Sequence, residues 1–198
     1  MQVNVTSNVA FVEKRLNKIQ KKQIPFATSV AINNTLFGLR KEMVKQVDKK
    51  LDRPTPFTKR GFLVDKAKKT KLFGILFMKN KVADYMQYQV DGGIRKETKM
   101  IPVPFKANAR LNKYGNIIGK RTGLIKKNSQ FIGTINGTTG VWERTNKNKR
   151  VKLMIGFEGQ VNYKPRFPFY KIASKYSGRL FPKNFDRAIT KALRTARR

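Results

Sequence analysis

The residues in this chain best suited to chemistry are its lysine runs, and that chemistry is the neutralisation of phosphate. Lys66, Lys68, Lys69 and Lys71 fall within one short stretch, while Lys120-Arg121 and Lys126-Lys127 form a second basic group in a Gly- and Asn-rich segment. Attraction between ammonium and phosphate needs no fixed spacing, so such runs imply salt-sensitive binding that tolerates any base sequence. The same runs suit a solvated face, or a surface that pairs with an acidic neighbouring subunit. The residues alone leave these alternatives open.

Other chemistries find little material. The chain has no cysteine, which excludes disulfides, thiolate metal sites and cysteine nucleophiles, and no histidine, the commonest general base and metal ligand. Of the acids, Asp65, Asp84, Asp91, Glu97, Glu143, Glu158 and Asp186 lie outside the long N-terminal helices, yet none forms an acid pair or a metal-binding spacing. They read as local partners of Lys and Arg. Gly115 and Gly119 do not belong to a phosphate-cradling loop, because the Gly-Lys-Ser/Thr sequence and its preceding strand are missing. No catalytic residue, cofactor or metal ion is expected. The aromatic stretch Tyr163, Phe167, Phe169, Tyr170, Tyr176 and Phe181 suits either a stacking platform for single strands or a chain anchored along the body. Pro165, Pro168 and Pro182 favour the anchored chain.

The molecule that must position these groups carries 45 Lys plus Arg against 11 Asp plus Glu in 198 residues, a formal charge of +34. A compact state with that imbalance repels itself unless a polyanion or an acidic surface is near. The cations run from Lys14 to Arg198, so the charge belongs to the fold and not to a tail. A hydrophobic content of 39%, with 14 Phe, is too high for a disordered basic tail and supports a folded core. No apolar run reaches the length needed to cross a bilayer, and the N-terminus lacks the basic-then-apolar order of a signal peptide. A soluble intracellular product is expected.

Apolar spacing predicts a short amphipathic helix over 11–22 and a second helix entered at Pro25 and ending near Lys50. Arg53-Pro54-Thr55-Pro56-Phe57-Thr58 is a break, because each proline restricts its predecessor to extended geometry. Strands are expected over 61–67 and 71–78, then a helix over 81–90 closed by Gly92-Gly93. The polar, Gly- and Pro-broken stretch from Ile94 to Gly123 reads as a long arm. Strands return at 130–135, 140–144 and 151–157. Asn136-Gly137 joins the first two as a hairpin turn. A basic helix over 184–198 closes the chain. The expected fold is therefore α+β: long N-terminal helices, a central mostly antiparallel sheet with one crossing helix and an extended basic arm, and a C-terminal basic helix. Its divisions fall at 1–53, 54–183 and 184–198.

Several segments, in order, carry a family resemblance: Ala31-Ile32-Asn33-Asn34-Thr35, the Arg53 to Thr58 turn, Ala67-Lys68-Lys69, and Tyr85 to Arg95 with its Gln-x-x-Gly-Gly-x-Arg pattern. Val103-Pro104, Ala109 to Asn116 and Gly140-Val141-Trp142-Glu143-Arg144 follow. Taken together they resemble the tailed-bacteriophage minor tail protein Z, or tail completion (head–tail connector), family over roughly residues 31–170. The stretch between Arg95 and Val103 is shorter than the family's, and the lysine content is higher.

The resemblance implies a structural virion protein at the neck or upper tail, repeated in a ring around the genome exit channel. Its partners would be other neck, portal or tail proteins and, nonspecifically, genomic DNA, with no membrane. Gly92, Gly93, Arg95, Tyr114, Gly115, Asn116, Trp142 and Arg144 are then candidate subunit contacts. Gly92-Gly93 frees the chain from its helix, and Arg95 can bind carbonyls or carboxylates of a neighbour. Tyr114-Gly115-Asn116 reads as a tight turn that aims the arm. The alternative from another class is a free, sequence-nonspecific nucleic-acid-binding or packaging protein.

Overall fold

The structure, a computed structural model, describes residues 1–6, 18–105, 107–118, 124–125, 127–145 and 150–196. It is an α+β protein. Its elements in order are β1 (Gln2–Thr6), α1 (Lys18–Lys50), α2 (Pro56–Lys59), β2 (Phe62–Asp65), β3 (Phe73–Met78), α3 (Asn80–Val90) and β4 (Gly93–Pro104). After these come β5 (Gln130–Ile135), β6 (Thr138–Thr145), β7 (Arg150–Tyr163) and α4 (Phe169–Ala196). Contacts divide the chain into one compact unit of Met1–Val90 with Arg166–Arg198, and a second of Asp91–Pro165. This differs from the expected division at 53 and 183. The first and last helices pack on each other, and the body between them separates into two antiparallel sheets in place of one central sheet.

In the first unit the sheet order is β1-β3-β2. Helix α1 supplies the core stripe: Ile32, Leu36, Leu39, Met43 and Val47 are fully buried, with Phe62, Leu76, Val82 and Phe167 among their partners. The apolar spacing Phe26, Val30, Phe37, Met43, Val47 and Leu51 marks this face only in part, since Phe26 is exposed and Val30, Phe37 and Leu51 are half-buried. Burying each such side chain contributes about 1.5–3 kcal/mol before entropy is subtracted. Small residues set a second contact, where Ala27 and Ala31 of α1 cluster with Ala188 and Ala192 of α4. Asn184 adds a polar tie by donating to the Thr35 hydroxyl at 3.0 Å.

Two prolines stand inside the long helices. Pro25 lies inside α1, so Lys18 to Lys50 is one helix, and Pro182 lies inside α4, which begins at Phe169 and not near Asn184. Proline removes one rung of the hydrogen-bond ladder. In α4, buried residues on both sides of Pro182, Ile172 and Ala173 before it and Ala188 and Ala192 after it, carry the helix through. The expected helical residues 11–17 lie outside those described. Phe167, Phe169 and Ile172 are buried and Tyr176 packs against the same core, so the aromatic stretch anchors the chain. Strand β1, not among the elements expected from the sequence, alternates Val3 and Val5 with polar residues.

The second unit is a sheet of order β4-β7-β6-β5, all antiparallel, with the three expected strands as β5, β6 and β7 forming a meander. Asn136 at φ 48° and Gly137 at φ 77° make its two-residue turn, where both positions must accept positive φ. Residues 94–104, expected within the arm, belong with Gly93 to strand β4, hydrogen-bonded to β7. Phe105 N–H donates to the Met154 carbonyl at 2.9 Å, so Ile101 and Val103 also turn their backbone groups toward β7. Pro102 and Pro104 therefore face the open edge, where a missing N–H costs no ladder bond. Beyond β4, Leu111 bridges to Ile117, and Ile117 and Leu124 pack on the core of Val141, Met154 and Ile155.

Candidate functional site

The turn between β2 and β3 gathers all four lysines of the first predicted group. Lys68 and Lys71 exchange backbone hydrogen bonds of 2.9 and 3.0 Å, closing Lys68-Lys69-Thr70-Lys71 into a tight hairpin tip. Helix α1 braces it. The Asn33 side chain accepts from the Ala67 N–H at 2.8 Å and donates to the Ala67 carbonyl at 3.0 Å, so one amide satisfies both backbone groups of a buried residue. Gly74 lets the helix come this close, since a Cβ there would lie 2.5 Å from the Leu36 side chain.

Three of the ammonium groups sit over aromatic rings: Lys66 over Phe37 at 5.6 Å, Lys69 over Phe26 at 5.0 Å and Lys71 over Phe73 at 4.4 Å. Contacts of this kind contribute about 0.5–1 kcal/mol each at exposed sites. They limit where the side chains point without neutralising them. Lys71 also pairs with Asp65 at 3.0 Å. Lys66, Lys68 and Lys69 remain exposed, and Phe26 and Phe73 are each 40% accessible beside them. The result is a pre-ordered basic knuckle with aromatic surface, able to meet the phosphates of a backbone without reading bases. The aromatic supports and Asn33 were not singled out as site residues in the sequence, since only the fold brings them to the hairpin.

The second basic group does not assemble in the same way. Lys120, Arg121 and Lys126 lie outside the described residues. Lys127 belongs to the second unit and is engaged, its ammonium 3.3 Å from Glu143, whose other oxygen takes Lys152 at 3.2 Å. Burial pushes the Glu143 carboxyl up, but hydrogen bonds from Lys152 and Lys127, together with their charges, outweigh it and hold the group below its ordinary value. Glu143 is thus an ionised strut, as expected of an acid that neutralises local lysines. It stands in the wall of a cleft of about 410 Å³ lined also by Asn108, Arg110, Ile117, Leu124 and Met154.

The candidate interface residues all lie in the second unit. Gly92 and Gly93 have φ of 74° and 104°, and a Cβ on Gly92 would press on Pro165 and the Tyr163 carbonyl. Arg95 lies on β4 opposite Val161. Tyr114-Gly115-Asn116 is the tight turn expected: the Asn112 carboxamide oxygen accepts from the N–H of Tyr114 and of Asn116, with Gly115 at φ 78°. Trp142 donates from Nε1 to the Gly133 carbonyl at 3.1 Å, and Arg144 lies 4.4 Å over the Phe131 ring. Gly140 has no room for a side chain, because a Cβ would fall on the carbonyl oxygen of Ile155.

In the first unit, Thr58 of the Pro-Thr turn meets the Tyr85 hydroxyl at 2.9 Å, just as Asn33 meets Ala67, so segments quoted for the resemblance support one another in space. Among the described residues, no three His, Cys, Asp or Glu side chains gather as a metal site, and no helix is long and apolar enough to cross a membrane. No protein-family model matches the chain, and neither a curated protein nor a solved structure shows significant similarity to it.

Proposed function

We propose that the chain is a structural virion protein of a tailed phage, a tail-completion or head–tail connector subunit. It forms a ring at the neck or upper tail, beside the genome exit channel. Its work there is assembly and retention of DNA, not catalysis. The observation that carries this reading is the charge: eleven carboxylates cannot neutralise forty-five cations one for one, so the surplus must be met from outside the chain. DNA on one side and acidic neck, portal or tail proteins on the other would meet it. The braced lysine hairpin supports the DNA side, and the mutual support of the resemblance segments fits a scaffold role.

The same hairpin also favours a second reading, a free nucleic-acid-binding or packaging protein. Purification separates the two. A ring subunit stays with sedimenting particles after nuclease digestion and a high-salt wash, whereas a protein held only by phosphate contacts is released by the salt. Release into the supernatant, with intact particles pelleting without it, would remove the connector reading.

A further inference from the structure

The two edges of the second unit's sheet are built differently. On β4 the open side carries Pro102 and Pro104, and the strand bears Arg95 and Lys96, the devices that blunt an edge against strand addition. On β5 none of these is present. In a chain with 45 cations there is no charged residue and no proline from Asn128 through Trp142.

The hydrogen-bond phase of β5 shows what its outer side offers. Arg144 N–H donates to the Ser129 carbonyl at 2.9 Å, and Ile135 pairs with Thr138 across the two-residue turn, so odd-numbered residues of β5 face β6. Ile132 and Thr134 turn N–H and C=O outward, where no partner stands among the described residues, and the Ile132 side chain is 55% exposed. Gln130 is already used, its N–H donating to Lys127.

We propose that the β5 edge receives an added strand from an extended segment of an acidic partner protein. The neutral edge lets another backbone approach without meeting a desolvated ammonium, and the basic molecule around it draws a negatively charged chain. A second copy of this chain, equally basic, gains no such attraction at β5. This inference does not rest on the virion reading.

The test uses the full chain and short labelled peptides of alternating Thr and Val flanked by aspartates. Binding is read by fluorescence anisotropy and by hydrogen exchange at single amides. The peptide should bind and slow exchange at Ile132 and Thr134. The same peptide N-methylated along its centre, with its charge unchanged, should bind about tenfold more weakly or worse. Ile132→Pro, which removes an outward N–H and no bond of the β5–β6 ladder, should produce a similar loss while the unfolding midpoint shows the chain still folded. The N-methylated peptide provides that contrast on the unaltered chain if the proline variant does not fold. Equal binding of the two peptides would overturn the proposal, as that is attraction to net charge alone. Self-association through β5 that Ile132→Pro abolishes would overturn it too.

Discussion

Glu143 illustrates how single residues work in a chain this short of acids: one buried carboxylate ties Lys127, before β5, to Lys152 on β7. Because its folded value lies below the ordinary 4.5, its contribution to stability is fully present above that pH and is lost as pH falls through the lowered value. Glu143→Gln should therefore be less stable than the parent at neutral pH and show a flatter decline in stability below about pH 4.5. Urea midpoints across pH measure this, and parallel curves for the two proteins would contradict it. The role of Glu143 was partly legible, since an acid between lysines invites pairing. Asn33 was not, because Ala67 comes to it only when β2 and β3 pack on α1.

At the scale of elements, prolines decide what the sequence reveals. Asn136-Gly137 marked its hairpin because both residue types accept positive φ, and the β5–β6–β7 meander followed from it. Pro25 reads as a helix start but sits inside a helix, and Pro182 also sits inside one. Pro102 and Pro104 made an edge strand look like an arm because their outward position depends on register with β7, which local composition does not encode. The lysine hairpin is the element most open to functional test. Replacing Lys66, Lys68, Lys69 and Lys71 together by Ala should lower the slope of log affinity for duplex DNA against log salt by about 0.9 per phosphate contact removed, roughly 3 to 4 in all. Slope and affinity unchanged from the parent would show that phosphates are met elsewhere.

For the whole molecule, the α+β class was legible from alternating periodicities, while the division into units was not. The first unit joins α1 to α4 across the length of the chain, through contacts such as Asn184 to Thr35 that no local pattern announces. Both units carry the surplus charge, so the proposed pairing with an outside polyanion or acidic surface would draw on the entire fold. A map of intact particles produced by the genome that encodes this chain tests that account most directly. A ring of copies between portal and tail tube, with the lysine hairpin turned toward the DNA path, is the expected result. Particles complete at neck and tail, with no density for this chain, would contradict it.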